Sequence, residues 1–427
     1  VSDSSEKRAQ NEQRRDPVPV KIDDGGPRPG GPLNRERGAR RQLARSPLVP
    51  IFLIVAVDVL GLTIILPLLP FYAERFGASP AVVGLLVSTY AFCQLFSGPL
   101  LGRISDGIGR RPMLLLSQVG TLIGFLILAE APSLWVVFLA RIIDGSTAGN
   151  LSLAQAYISD VTKPEDRARS FALIGIAFGV GFLIGPALSG FLAQFGYQYP
   201  IYLAAALSAT SILATYFLLP ATLPESGEQG APRRLKLLDW GNYVQYFKRP
   251  GLARLLLQFF VFIFAFTLFV SCFALFAERR YFWNGRPFGV REVGYLFGYG
   301  GLLGAILQGG FIGRLVKWFG EERLARSGFV TAAAGFVLLA FIYQWQWLLL
   351  ALVFTTFGTG VLRPVLTSLI TQKASRAEQG AVLGLTQSLT SIAQIVAPAL
   401  GGLLINEHQL VAWAIGTAAV FGLGLLL

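Results

Sequence analysis

Apolar stretches of membrane-spanning length recur from residue 48 to the end of the chain, and no other feature of the sequence limits its fold as strongly. A helix needs roughly 18 to 20 consecutive apolar residues to cross the hydrocarbon core of a bilayer. Segments of about that length lie at 48–70, 81–101, 112–131, 134–160, 167–195, 198–219, 251–277, 289–316, 324–344, 346–371, 378–405 and 409–427. Inside lipid the backbone must satisfy its own hydrogen bonds, so the expected fold is all-α membrane, with twelve transmembrane helices. Composition agrees. Only 14% of residues are charged, against roughly 25% in soluble domains. The fourth and fifth spans are long enough to project past the bilayer, and the twelfth runs to Leu427 as if cut there.

The net charge of +12 is explained by membrane topology, not by a nucleic-acid surface. With the N-terminus in the cytoplasm, most of the 36 Lys and Arg residues fall in the N-terminal tail and the inner loops, as the positive-inside rule requires. Arg75, Arg279, Arg280, Arg286 and Arg291 fall on the outer side, while Arg141 and Arg363 lie within spans. Residues 1–47, rich in Arg, Pro, Gly, Asp and Glu, are expected to form a disordered basic cytoplasmic tail. Its stretch 35–45 can touch anionic lipid. Cys93 and Cys272 lie in apolar spans with no CxxC pattern and are expected to be packing residues. His408, in an outer loop, is too far from mid-membrane for a deep proton relay, so proton chemistry would fall to carboxylates.

The polar stretch 220–250 divides the spans six and six, so it is expected to be a cytoplasmic linker between two six-helix bundles, 48–219 and 251–427. The halves repeat. GRISDGIGRR at 102–111 matches GRLVKWFGEER at 313–323, and GPALSG at 185–190 matches APALGG at 397–402. Two parallel copies of one unit imply a pseudo-two-fold axis along the membrane normal, a cavity between the copies, and alternating access by rocking.

The loop after the second span carries Gly102, Asp106, Gly109, Arg110 and Arg111 in the order Gly-Arg-Ile-Ser-Asp-Gly-Ile-Gly-Arg-Arg. It resembles the inter-helix signature of the major facilitator superfamily, with Gly107 standing where a basic residue is usual. The resemblance implies a gating latch in which these charges pair at neighbouring helix ends, Asp160 being the expected partner. The fifth span, with Gly175, Gly179, Gly181, Gly185, Pro186 and Gly190, resembles the antiporter motif of drug:proton exchangers, Ser189 replacing a usual Gly. Glycines at such spacing let helices pack backbone to backbone, and the proline bends the helix at the contact. The first span, AVDVLGLTIILPLLP, and the fourth, ARIIDGSTAGNLSLAQAYISDVTKPEDRARSF, resemble the tetracycline-efflux branch. That resemblance implies that Asp58 and Arg141 take part in the transport pathway. The ninth span, 324–344, lacks the carboxylate that tetracycline exporters carry there.

Charged side chains at mid-membrane cost several kcal/mol unless paired or hydrated, so Asp58, Arg141, Asp144 and Arg363 are functional candidates. Arg141 and Asp144, three residues apart, share a helix face and can form an ion pair. Asp58 would then be the proton-coupling carboxylate; if instead Asp58 pairs with Arg141, that role passes to Asp144. Arg363, before Pro364, could meet an anionic or carbonyl group of a substrate. Asn150, Gln155 and Gln258 are further substrate-binding candidates, with Gln94 and Gln387 beside them, although helix-to-helix hydrogen bonding uses such residues as often. The phenylalanines of the seventh span suit packing more than a pocket.

These features point to proton-coupled efflux of amphipathic, drug-like small molecules. A facilitator or symporter of a metabolite such as an organic anion or sugar, and a receptor that kept the fold without transport, are the other readings. No Walker loop, HExxH or nucleophile triad is present, so no enzyme and no cofactor is expected. The expected partners are a small-molecule substrate, protons and the lipid bilayer, with a monomer in a plasma (inner) membrane as the working unit.

Overall fold

In the computed structural model, residues 48–162, 167–220, 245–374 and 378–427 are described. The expected tail, 1–47, and most of the expected linker, 221–244, lie outside these residues. Residues 50–427 form one compact unit.

The first half consists of α1 (Leu48–Glu74), α2 (Pro80–Ile108), α3 (Arg110–Ala129), α4 (Leu134–Ser146), α5 (Asn150–Val161), α6 (Arg167–Leu192) and α7 (Gln198–Leu218). The second half consists of α8 (Pro250–Arg280), α9 (Val290–Ile306), α10 (Ile312–Phe319), α11 (Glu321–Phe341), α12 (Trp345–Lys373), α13 (Gln379–Asn406) and α14 (Leu410–Leu426). Among the described residues, ten helical spans are long and apolar enough to cross a membrane, and α14 is a shorter apolar helix. The remaining span of the twelve is the broken pair α4 and α5.

That break departs from the single long fourth helix expected from sequence, and it combines a local bond with a staple from another helix. Thr147 Oγ1 donates back to the Ile143 carbonyl at 2.9 Å, competing with the helix ladder. Ser117 of α3 then staples the gap: its hydroxyl donates to the Thr147 carbonyl and accepts from Gly149 N at 2.9 Å. A π turn, Leu307–Phe311, interrupts the eighth span between α9 and α10 at the Gly309-Gly310 pair. Ser79 caps α2, accepting from Val82 N at 3.4 Å, with Pro80 at the first helical position. Between α8 and α9 a two-residue hairpin, β1 (Phe282–Trp283) with β2 (Arg286–Pro287), turns through Asn284 and Gly285 at φ 49° and 76°. Asn-Gly is the pair such a turn favours.

Within the first half α3 packs on α4 and α7; within the second α11 packs on α12 and α14, and α8 on α13 and α14. Phe262, Phe273 and Phe276 of α8 are buried. Along the helix Phe269 meets Phe336, Phe273 meets Phe297 and Phe276 meets Trp413, so the aromatic run of the seventh span is core. The halves meet along two seams, α2 with α13 and α6 with α9. These seams are images of each other under the sequence repeat. Gly84 rides on the Pro398 carbonyl in one, and Gly294 rides on the Pro186 carbonyl in the other, where a Cβ on either would collide. The contact predicted for the fifth span is therefore made, with Gly185 also seated on Thr63, whose hydroxyl donates to the Gly181 carbonyl at 2.9 Å.

Both seams lie toward one end of the bundle, here the far end, which carries Glu74 and the β hairpin. Toward the near end, which carries Gly109 and Asp160, a Cβ on Gly175 of α6 or Gly384 of α13 would meet nothing within 4 Å.

Candidate functional site

Two helices of the first half, α1 and α4, bring charge to mid-depth. Asp58 lies ten residues into α1, about 15 Å along its axis at 1.5 Å per residue. Asp58 is half-buried as a residue, and its carboxylate faces Ser211 of α7 and Gln118 of α3. Gln118 Nε2 donates to Ser211 Oγ at 2.8 Å, and Ser208 Oγ donates to the Gln118 carbonyl at 3.3 Å, so the two donors beside Asp58 are held in place. Ser211 and Gln118 are fully buried. No cation lies within 4 Å of Asp58 among the described residues.

Arg141 and Asp144 form an ion pair inside α4, Nη1 to Oδ2 3.2 Å. Both are buried, 4% and 5% exposed. Small residues admit them: Gly124 of α3 lies against the Asp144 Cβ, and Gly145 against the Tyr90 carbonyl of α2. The Arg141 guanidinium stands 5.8 Å from the Tyr90 ring centre, and the Tyr90 hydroxyl accepts from Gln94 Nε2 at 3.3 Å. Arg141 Nε and Nη2 have no hydrogen-bond partner among the described residues. Of the two pairings open at the sequence level, the geometry contains Arg141 with Asp144 and leaves Asp58 uncompensated.

The second half contributes Arg363 from α12. Its side chain is exposed to the interior and its guanidinium lies 5.7 Å from the ring centre of Phe178 on α6, across the gap between the halves. Phe178 stacks on Phe182 at 6.5 Å. Arg363 has no carboxylate within 4 Å among the described residues. A cation so placed, over an aromatic face and open to the interior, can receive an anionic or carbonyl group.

The polar candidates separate. Asn150 begins α5, with its Oδ1 buried and unpartnered. Gln155 is half-buried on the same helix. Gln258 is elsewhere: its Nε2 donates to the Gly424 carbonyl at 3.1 Å and ties α8 to α14. That is a helix-packing contact rather than a place on the interior surface. The α11 helix starts at Glu321, earlier than the expected span, and so carries Glu321 and Glu322. Both stand in its first turn at the near end, where Glu321 accepts from Ser368 at 2.8 Å and Gln372 at 2.9 Å.

At the near end the expected latch residues converge. Gly109, at φ 103°, ends α2 and begins α3 in one residue, a backbone position suited to glycine. The turn brings Arg110 between two acids, Asp106 at 2.5 Å and Asp160 of α5 at 2.8 Å, while its Nη1 also donates to the Gly102 carbonyl at 3.3 Å. Arg111 donates to the Tyr216 carbonyl of α7 and lies over the Tyr216 ring at 5.4 Å. A Cβ on Gly102 would meet nothing within 4 Å, so its part here is that of an acceptor. Tyr90, Gln118 and Ser211, which complete the surroundings of the charged residues, were not singled out from sequence as site residues. Their only sequence signal is polar character on apolar spans.

The model of the Major Facilitator Superfamily matches residues 51–343 and 310–427 of this chain. Among curated relatives, the class B tetracycline resistance protein of Escherichia coli is 30% identical over 363 residues, 84% of this chain and 88% of the relative. The class G tetracycline resistance protein of Vibrio anguillarum is 32% identical over 375 residues, 86% of this chain and 92% of the relative. Among solved structures, the human organic anion transporter MFSD10 superposes with a TM-score of 0.69 at 24% identity, covering 90% of this chain and 99% of that one. At that identity the likeness is one of fold.

Proposed function

The chain belongs to the Major Facilitator Superfamily and is an integral, multi-pass secondary transporter of small molecules rather than an enzyme, and we propose that it exports amphipathic, drug-like molecules in exchange for protons. The observation that carries this reading is the isolation of Asp58. With Arg141 and Asp144 neutralising each other, it is the mid-depth acid of the first half without a cation. The residue is only half-buried, so in this reading it can exchange a proton with whichever side the interior faces. An ionised carboxylate surrounded by lipid and apolar helices is costly, whereas its protonated form is not. Protonated Asp58 therefore lets the empty carrier reorient. Losing that proton at the inner face frees the carboxylate, with Ser211 and Gln118 beside it, to hold a polar group of the substrate.

The near end is the cytoplasmic end in this reading, and because the glycine seams between the halves lie toward the other end, the conformation is inward-facing. The N-terminus lies in the cytoplasm, the membrane is the plasma (inner) membrane, and one chain is the working unit. The resistance function in the names of the class B and class G relatives supports export as the direction. Tetracycline itself is not the proposed substrate, because the acids of α11 stand at its near-end tip. Gly102, Asp106, Gly109, Arg110, Arg111 and Asp160 act as the near-end latch, and Gly185 and Pro186 as part of the far-end seam.

A second reading is favoured by Arg363. A cation with no acid partner among the described residues, set over Phe178, suits an organic anion with an aromatic body, moved by a facilitator or symporter. The two readings are separated by substrate-driven proton movement in liposomes, compared between the wild type and Asp58→Asn.

A further inference from the structure

The far end is held by more than glycine contacts. The last turn of α1 meets the last turn of α8, and one guanidinium serves two carboxyls there. Arg279 Nη2 lies 2.5 Å from Glu74 Oε1, and Arg279 Nη1 lies 2.9 Å from Glu278 Oε2. Glu74 belongs to the first half, Glu278 and Arg279 to the second. Among the described residues this is the one ion pair that joins the halves. Held by the two terminal nitrogens of one guanidinium, the two carboxyls are close neighbours.

The charges around this group leave it one positive charge short. Arg75 follows Glu74, yet its guanidinium lies over the Tyr197 ring at 5.7 Å and makes no ion pair among the described residues. Tyr197, in the turn before α7, faces both carboxyls. Tyr72 of α1 faces Arg75 and Glu130, and Glu130, just past α3, accepts from the Tyr202 hydroxyl. Arg280 turns away from the carboxyls: it donates to the Ala340 carbonyl at 2.5 Å and covers the Tyr343 ring at 3.7 Å. The neighbouring Tyr281 hydroxyl donates to the Ile342 carbonyl at 3.2 Å. Two carboxylates on one guanidinium sum to one negative charge. A proton between the carboxyls makes the group neutral and gives each carboxyl a partner besides Arg279. All three side chains are 18% to 29% exposed, so that proton exchanges with water at the far end.

We infer that Glu74, Glu278 and Arg279 form a proton-dependent clasp between the halves, a coupling element of the transport cycle separate from Asp58. With one proton shared, the far end is held shut. When that proton leaves to far-side water, two like charges on opposite halves stand against each other across one arginine, and the far end opens. The clasp thus reads acidity on the far side and speeds closure there. It rests on the chain being a two-bundle transporter, but not on the role assigned to Asp58 or on the substrate.

The test is a distance measurement across the far end by pulsed electron resonance. Spin labels are placed at Gln194→Cys and Gln409→Cys, exposed far-end positions of the two halves, in a chain carrying Cys93→Ala and Cys272→Ala. The chain is reconstituted in liposomes and read at about pH 5.5 and about pH 8, on either side of the range in which one of two adjacent carboxyls gives up its proton. The wild type is expected to show one short distance in acid and an added longer population in alkali. Glu278→Gln, whose neutral amide replaces the shared proton, is expected to keep the short distance at both, and Glu74→Gln to do the same. Asp58→Asn, which removes the mid-depth titration and can shift the starting balance of states, is expected to retain a rise of the longer population from acid to alkali, so the clasp response is separable from Asp58. Identical distributions at both pH values in the wild type would overturn the inference. So would a longer population in both glutamine variants in alkali, or abolition of the response by Asp58→Asn alone.

Discussion

Arg141 Nη1 lies 3.2 Å from Asp144 Oδ2 inside α4, with both side chains buried. This pairing within one helix assigns the remaining roles. It removes two of the four mid-membrane charges from the balance and leaves an acid on one half, Asp58, and a base on the other, Arg363, neither of them fully buried.

Removing one member of the buried pair leaves the other as an uncompensated charge. Arg141→Ala should therefore lower stability by about 3–5 kcal/mol, while Arg141→Ala with Asp144→Ala should recover most of the loss. Thermal unfolding of the two variants in the same detergent measures this. Equal destabilisation by the single and double changes would mean that the pair is not what holds these residues.

The near-end latch should behave differently, because it is exposed. Asp160→Asn removes a partner of Arg110 whose side chain is 42% exposed, and an exposed pair contributes at most about 1 kcal/mol. Its expected signature is a near-unchanged melting temperature together with a reduced transport rate in liposomes. A large drop in melting temperature would reassign Asp160 to a structural role.

Much of this was legible in the sequence, for reasons that particular residues make plain. The spans announce themselves because lipid demands unbroken apolar helices, and the repeat of GPALSG in APALGG foretold seams related by a two-fold, since each repeat places a proline carbonyl against a glycine of the other half. The i, i+3 spacing of Arg141 and Asp144 foretold a shared face, and their pairing is present. The break in the fourth span was not legible. It depends on Ser117 of another helix stapling the Thr147 to Gly149 gap, a tertiary contact with no local signature. The same limit applies to Gln258. A glutamine on an apolar span signals a hydrogen bond, but whether its partner is a substrate or the Gly424 carbonyl is decided by packing. The clasp at Glu74 and Arg279 was hidden because its members are 205 residues apart.

Arg363 supplies the test between the two substrate classes. Binding of a naphthalene carboxylate should weaken in Arg363→Gln by about tenfold to a hundredfold, as expected for losing a charge-assisted hydrogen bond of about 1.5–3 kcal/mol. Binding of the corresponding neutral amide should change little. Competition binding on the purified transporter checks this, and equal effects on both ligands would show that Arg363 does not read substrate charge.

The claim on which the account depends is that Asp58 carries the exchanged proton. The measurement is substrate-driven proton movement in liposomes, with amphipathic drugs and organic anions offered to the wild type and to Asp58→Asn. The account predicts proton flux with a drug-like substrate in the wild type and none in Asp58→Asn. Substrate exchange without proton flux in the wild type would contradict it and make the protein a facilitator.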